Sequence, residues 1–347
     1  MEGGKDFESL EAMDLSKVNS FSDMATAMSK TAFTGRQLGE AVDVSCEMFS
    51  DKESFNVLTL SGAMTMAQMS YLICDMIDNE YVDAVVSTGA LMCHGFVEAA
   101  GMKHFKAPVN FDDEKLREKR LNRVYDTIEP EENLDFVSEI CNKVFDRIDK
   151  RFPTTSSEIC VALGRYLVDH DSKRGIFKSA FEKKVPIFIP AFTDSELALD
   201  YAVYNNQQRY QMKPELKFDP FKDFNRFVDL ILHAKKRGIF TIGGGVPRNW
   251  AQQAACYWDL YSGRFLQKNM KLSEEEKRKY ETPYNYAVRI CPEPVHYGGL
   301  SGCSYSESVS WGKILPKSKG GKYAEVLSDA TVAWPIILKA IMERLEK

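Results

Sequence analysis

The most reactive stretch of the chain is Ser308-Val309-Ser310-Trp311-Gly312-Lys313, with Glu307 just before it. It sets an amine, a broad aromatic face, a flexible Gly and a carboxylate side by side. Lys forms Schiff bases, and burial lowers its pKa until the neutral amine is available as a nucleophile. Trp offers the best aromatic face for a cation, and a carboxylate pairs with an ammonium group. In isolation the same residues describe a surface Lys beside a core Trp, so the rest of the chain has to decide between the two readings.

Further candidates stand where short apolar runs end. Gly243-Gly244-Gly245 follows the run Gly238–Ile242 and precedes Val246-Pro247. Successive Gly are costly unless the backbone must be approached closely, and Pro suits the first turn of a helix. The two readings are a phosphate cradle at a helix N-terminus and a tight turn with no ligand. Ser61-Gly62 ends the run Phe55–Leu60, and Ser87-Thr88-Gly89-Ala90 ends Tyr81–Val86. Asp194, in Thr193-Asp194-Ser195, follows Val185–Pro190, and Asp329-Ala330 follows Tyr323–Leu327. Each acid is either a plain helix N-cap or a strand-end carboxylate beside a ligand. Glu196 and Asp200 are four apart on one helix face and suit a polyamine.

The elements that position these residues read as alternating strands and helices. Strands are expected at 55–60, 81–86, 185–190, 238–242, 286–290 and 323–327. Helices are expected over 36–50, 64–76, 134–151, 157–170, 221–236 and 248–260, with a last one through Trp334 and Leu345, from apolar positions at 3.6 spacing. Strand, small-residue turn and helix in repetition is the pattern of parallel βαβ units. The segments 105–132 and 263–284 are charged and read as solvated excursions. Residues 1–35 are polar and read as an N-terminal arm, with 36–347 as one catalytic domain. The fold class is therefore α/β: a Rossmann-like, doubly wound, mostly parallel sheet with helices on both faces.

Composition removes several function classes. The chain has 347 residues, 44% hydrophobic and 27% charged, which is globular. A net charge of -5 argues against a nucleic-acid surface. No apolar run is long enough to span a bilayer. The N-terminus lacks the apolar core of a signal peptide, and the 8 Cys are scattered, so a cytoplasmic protein with reduced thiols is expected. The 5 His lack HExxH or similar spacing, so no metal site is expected.

A dinucleotide cofactor beside a Schiff-base Lys implies a redox step. Oxidising an amine gives an electrophilic imine, a neutral Lys captures it, and a second amine takes the group on. On the residues VDAVVSTGA (82–90), PAFTDS (190–195), GGGV (243–246) and SVSWGK (308–313), in this order, the chain resembles the deoxyhypusine synthase family over roughly 35–345. VSWGK is specific, whereas the Gly motifs alone are not. The resemblance implies a homotetramer with active sites at subunit interfaces, and NAD-dependent transfer of the 4-aminobutyl group of spermidine. It implies that Lys313 carries the enzyme–imine intermediate and that Trp311 and Glu307 bind the donor. It also implies that Thr88, Gly89, Asp194, Gly243, Gly244, Gly245, Asp329 and Ala330 contact NAD.

The chain departs from the pattern where amines are recognised. Eukaryotic members carry a His where Asn249 stands, an acidic pair where Cys93-His94 stands, and aspartates in the loop that here reads Tyr297-Gly298-Gly299-Leu300-Ser301-Gly302. Their donor-binding Asp falls at Leu199, with Asp200 adjacent. Asn249, Asp200 and His94 are thus the altered substrate-binding candidates. The expected acceptor is putrescine, giving homospermidine; the alternative is a protein lysine, as in deoxyhypusine synthase proper. Rivals from other classes are a nucleotide-binding regulator without chemistry, which has no need of Lys313, and an amine dehydrogenase that releases the aldehyde.

Overall fold

All six expected strands form, and they make one parallel sheet. The computed structural model describes residues 8–270, 273 and 281–346. Its strands are β1 (Ser54–Leu60), β2 (Ala84–Ser87), β3 (Phe105–Lys106), β4 (Leu121–Val124), β5 (Thr127–Pro130), β6 (Ile187–Phe188), β7 (Lys236–Ile242), β8 (Tyr286–Ile290) and β9 (Lys322–Val326). The main sheet has the order β6-β2-β1-β7-β8-β9, with every pairing parallel. All six carboxyl ends therefore lie along one edge. The order runs outward from β1 through β2, then restarts on its other side with β7. The switch point, where doubly wound sheets hold ligands, falls between the ends of β1 and β7.

Alternation along the strands feeds two cores, because successive side chains point to opposite faces. Leu58, Leu60 and Val85 enter one apolar cluster, and Val57, Ala84 and Val86 enter the other. The helices are α1 (Phe21–Ser29), α2 (Phe33–Ser50), α3 (Ser70–Asp78), α4 (Gly89–Ala99), α5 (Asp113–Glu118), α6 (Glu131–Arg147), α7 (Ser156–Asp169), α8 (Ile176–Lys183), α9 (Glu196–Tyr210), α10 (Pro220–His233) and α11 (Gly245–Tyr261). A short helix Tyr305–Ser310 and the C-terminal helix Ala330–Leu345 follow. The first cluster takes residues of α2, α3, α4 and the C-terminal helix; the second takes residues of α10 and α11. Helices thus cover both faces, as a buried parallel sheet requires.

Four segments differ from the sequence reading. The helix expected from Met64 starts at Ser70: Gln68 sits at φ 62, which breaks helical geometry, and Met69 N–H donates to Met64 O at 2.9 Å. The strand expected from Tyr81 starts at Ala84, because Tyr81 N–H still closes the turn after α3 on Met76 O. The excursion 105–132 is a three-stranded antiparallel sheet, β3-β5-β4, with α5 inserted. In the polar arm, α1 packs on α2 and the C-terminal helix, and Arg344 donates to Thr26 and Asp43. Residues 1–7 and 347, and residues 271–272 and 274–280 of the excursion read at 263–284, lie outside the described residues. The described part of that excursion continues α11 through a π-helical turn, Ser262–Leu266, into a short helix, Gln267–Met270. The 8 Cys are all unpaired. Among the described residues no helix is long and apolar enough to cross a membrane.

Candidate functional site

Lys313 owes its position to the way one short helix ends. The helix Tyr305–Ser310 starts at Ser304, whose Oγ accepts from Glu307 N–H at 3.1 Å. It stops in a Schellman turn: Gly312 N–H donates to Val309 O at 3.0 Å, and Lys313 N–H donates to Ser308 O at 3.1 Å. Gly312 takes the left-handed conformation this turn needs, at φ 68. Lys313 is the next residue out, and its carbonyl is held by Tyr284 N–H at 3.0 Å. Behind the helix, Tyr305 is fully buried and donates its hydroxyl to Val288 O at 3.0 Å. Burial pushes that hydroxyl up to about 12, so it stays a neutral donor.

These elements border a cavity of about 820 Å³. Lys313, Trp311, Glu307 and Asn249 all line it, so four of the expected site residues meet in one chain. Lys313 Nζ donates to Asn249 Oδ1 at 2.8 Å and lies 5.7 Å from the Trp311 ring centroid. Lys313 is half-buried, whereas Trp311 is 62% exposed at the rim. Sequence reasoning missed Gln252, Gln253, Cys256 and Asp259, which share the wall. The signal was present: from Asn249 they recur at helical spacing on one face of α11. Partial burial and the nearby Glu281 push the Asp259 carboxyl up, and burial likewise raises the Cys256 thiol.

The Gly-rich loop opposite is pinned by two guanidinium groups. Buried Arg248 donates to Cys303 O at 2.8 Å and Leu300 O at 2.7 Å. Arg289 donates to Ser301 O at 2.6 Å and Cys303 O at 2.7 Å, and pairs with Glu325 at 2.8 Å. Carbonyls held by cations replace the aspartates of the family pattern, so the loop contributes shape here rather than negative charge.

The cofactor candidates gather along the carboxyl edge of the sheet. Ser61 and Gly62 end β1, Thr88 and Gly89 open α4, Asp194 follows β6, and Asp329 and Ala330 open the C-terminal helix. Gly243 N–H is taken by Ile290 O at 2.8 Å, and Gly244 N–H by Ser61 Oγ at 2.8 Å. A Cβ on Gly243 would meet Ser61 Oγ at 2.4 Å, and one on Gly244 would meet Ser301 Cα at 2.7 Å. Close protein packing therefore already explains two of the three Gly. Of the two strand-end acids, Asp329 is an N-cap, accepting from Thr331 N–H at 2.8 Å. At α9 the cap is Ser195, which leaves Asp194 exposed. The N-termini of α4 and α11 carry no side-chain cap. Their free N–H groups, after β2 and after β7 on the carboxyl edge, fit the phosphates of a dinucleotide.

Two expected substrate residues lie outside the Lys313 cavity of this chain. Asp200 bonds Ser138 and Cys141, and burial pushes its carboxyl up. His94, on α4, joins a cluster that sequence spacing did not announce: its Nδ1 lies 2.7 Å from Glu129 Oε2. His104 Nε2 contacts Glu129 Oε1 at 3.1 Å, and His104 Nδ1 contacts Glu98 Oε1 at 3.0 Å. Burial opposes charge on both partners, yet the hydrogen bonds outweigh it, lifting His104 to about 9 and holding Glu129 at about 2.

Comparison with known proteins shows the family of the chain. The deoxyhypusine synthase family matches residues 23–341. A protein of Methanosarcina acetivorans named "Probable deoxyhypusine synthase 2" is 32% identical over 333 residues, 94% of this chain and 88% of its own length. A protein of Archaeoglobus fulgidus with the same name is 31% identical, over 91% of this chain and 96% of its own. The "Deoxyhypusine synthase-like protein" of Elusimicrobium minutum is 30% identical over 96% of this chain and 84% of its own. A structure titled "Crystal Structure of a putative deoxyhypusine synthase from Entamoeba histolytica" shares the fold with a TM-score of 0.60 at 14% identity, covering 95% of this chain and 96% of that one.

Proposed function

The chain belongs to the deoxyhypusine synthase family, and from that premise we propose that it is an NAD-dependent aminobutyltransferase working through an imine on Lys313. The observation that carries this reading is Lys313 Nζ, held by Asn249 at 2.8 Å inside a cavity walled by Trp311 and Glu307. Spermidine is the donor. Bound NAD would supply a hydride acceptor at the carboxyl edge, held by Ser61, Gly62, Thr88, Gly89, Asp194, the Gly243–Gly245 turn, Asp329 and Ala330. The uncapped first turns of α4 and α11 support that placement.

The chain's own groups do the rest. The Trp311 face receives the cationic donor, while Glu307 pairs with its ammonium end. Asn249 accepts from the Lys313 amine and aims it, and its carboxamide, unlike the imidazole of the family pattern, takes no proton. Lys313 attacks the oxidised donor carbon, the aminopropyl amine leaves with the proton, and the aminobutyl group stays on Lys313 as an imine. An acceptor amine then displaces Lys313 and carries the group as a new imine, and return of the hydride first taken from the donor, which the reduced cofactor would supply, converts that imine into the saturated amine. A small diamine needs only one carboxylate for its distal ammonium, and Glu307 or the adjacent Asp259 supplies it. The acceptor we favour is therefore putrescine, giving homospermidine. A protein lysine is the alternative.

The test incubates the protein with NAD, labelled spermidine, putrescine and a translation factor bearing the target lysine. Label in homospermidine supports the reading, label in the factor moves the acceptor to protein lysine, and label released only as free aldehyde rejects transfer. Lys313→Arg should abolish transfer with NAD binding retained, since guanidinium forms no imine. Borohydride trapping should add mass at Lys313; an adduct at another Lys overturns the assignment.

A further inference from the structure

We propose that His94, His104 and Glu129 form a divalent transition-metal site of zinc type, outside the Lys313 cavity of this chain. Their ligand atoms lie within 4.8 Å of one another. His94 Nδ1 and His104 Nε2 stand 2.7 and 3.1 Å from the two oxygens of Glu129. A tetrahedral ion with bonds of about 2.0–2.2 Å holds its ligand atoms roughly 3.4 Å apart, so accepting one needs only small shifts. Two imidazoles and one carboxylate, with a fourth position free for water, suit zinc-like ions better than calcium or magnesium.

Three further observations separate this cluster from an ordinary buried ion pair. First, His104 is backed by a second carboxylate on its far nitrogen, with Glu98 Oε1 3.0 Å from Nδ1, and a further carboxylate, Glu196 Oε1, stands 4.0 Å from the far nitrogen of His94. Metal-bound His residues are oriented in this way, because the outer acceptor fixes the tautomer that leaves the inner lone pair free. Glu98 is itself held by Ser70 Oγ at 3.1 Å and by Gln68 Nε2, and Gln68 Nε2 also lies 3.4 Å from His104 Nδ1. Second, His94 Nδ1 is buried without hydrogen-bond geometry despite its short approach to Glu129, and Glu196 Oε2 is buried without a partner. Protons alone therefore leave the cluster unsatisfied. Third, a cavity of about 330 Å³ lined by Gln68, Ser70, Glu98 and His104 reaches the cluster and gives an ion a way in.

The ion would have a mechanical role. His94 lies on α4, His104 on the connection to β3, and Glu129 on β5. One ion would fasten the small antiparallel sheet to the helix whose first turn holds Thr88 and Gly89. Binding displaces the proton that His104 Nε2 shares with Glu129 Oε1, so uptake releases a proton.

The experiment uses the full chain, stripped with a chelator and then titrated with ZnCl2 by calorimetry and with CoCl2 by visible absorption. The expected result is one saturable ion per chain, a raised Tm, and a cobalt spectrum of nitrogen and oxygen ligation. His94→Ala, at a side chain 13% exposed, should lose the saturable binding while far-ultraviolet circular dichroism shows the fold retained. Glu98→Gln, which keeps shape and removes only the backing charge, should weaken affinity about 10–100-fold. Folded wild type that takes up no ion, either variant binding as wild type does, or thiolate charge-transfer bands in the cobalt spectrum would each overturn the proposal.

Discussion

At the scale of single residues, the reactive stretch is a helix terminus. Trp311, Gly312 and Lys313 are the last capping residue, the left-handed residue and the first residue beyond of one Schellman turn. Gly312 therefore aims Lys313 as directly as Asn249 does. A Cβ at Gly312 would sit at φ 68 and 3.1 Å from Asp259 Oδ2. Gly312→Ala should thus cost about 1–2 kcal/mol of stability from backbone strain, read as a lower denaturation midpoint, with a loss of transfer. Gly312→Asn, which tolerates the left-handed region, should recover most of both. An Ala variant as stable and active as wild type would remove the turn from the argument. The WGK residues were legible because their types carry chemistry. Asp259 and Cys256 were not, because an acid and a thiol on a helix are ordinary until the facing wall is known, and that wall is the distant loop holding Leu300 and Cys303. Likewise nothing in the spacing of His94, His104 and Glu129 resembles a metal motif, since folding alone joins α4 to β5.

At the scale of elements, the glycine turn after β7 serves two masters. Its first two N–H groups already bond Ile290 O and Ser61 Oγ, and Gly244 abuts the backbone of Ser301. The φ of Gly244 is 168, extended backbone open to any residue, so only contact excludes a side chain there. Gly244→Ala should therefore push the loop at Ser301 away, lowering Tm and NAD affinity together. A pure phosphate cradle would lose cofactor binding far more than folding stability, whereas the packing on Ser301 ties the two together. Calorimetry with NAD beside a thermal melt decides: lost NAD affinity at unchanged Tm would mean the turn serves phosphate alone. The main-sheet strands were legible because each is an apolar run closed by small residues, as in Leu60-Ser61-Gly62. The strands β3, β4 and β5 were not. They are two to four residues long and partly exposed, and their hairpin turns at Tyr125, φ 52, where Gly or Asn would have been the readable signal.

At the scale of the whole molecule, the Lys313 cavity has an apolar rim that one chain leaves open. Trp311, Leu260, Val295 and Leu300 line it and are all exposed, as is Val246, one helical turn before Asn249 on α11, and exposed apolar surface on a folded protein marks a contact face. His94 and Asp200, the remaining substrate candidates, lie outside that cavity in the same chain. Both facts follow if a second chain covers the rim and brings its own carboxyl edge to Lys313, as the family resemblance implies for a homotetramer. Val246 stands in the first turn of α11 without lining the cavity, so Val246→Asp should weaken assembly and leave the chain folded. Light scattering should then show lower mass than wild type, and transfer should fall although every residue of the Lys313 wall is unchanged. A sharper version pairs two inactive chains. Lys313→Arg lacks the amine, and Asp194→Ala lacks a strand-end acid that is exposed in its own chain. Co-expressed, the two variants should regain part of the transfer activity, because some mixed sites take an intact Lys313 from one chain and an intact Asp194 from the other. If each chain builds its site alone, every site keeps one defect and the mixture stays as inactive as its parts.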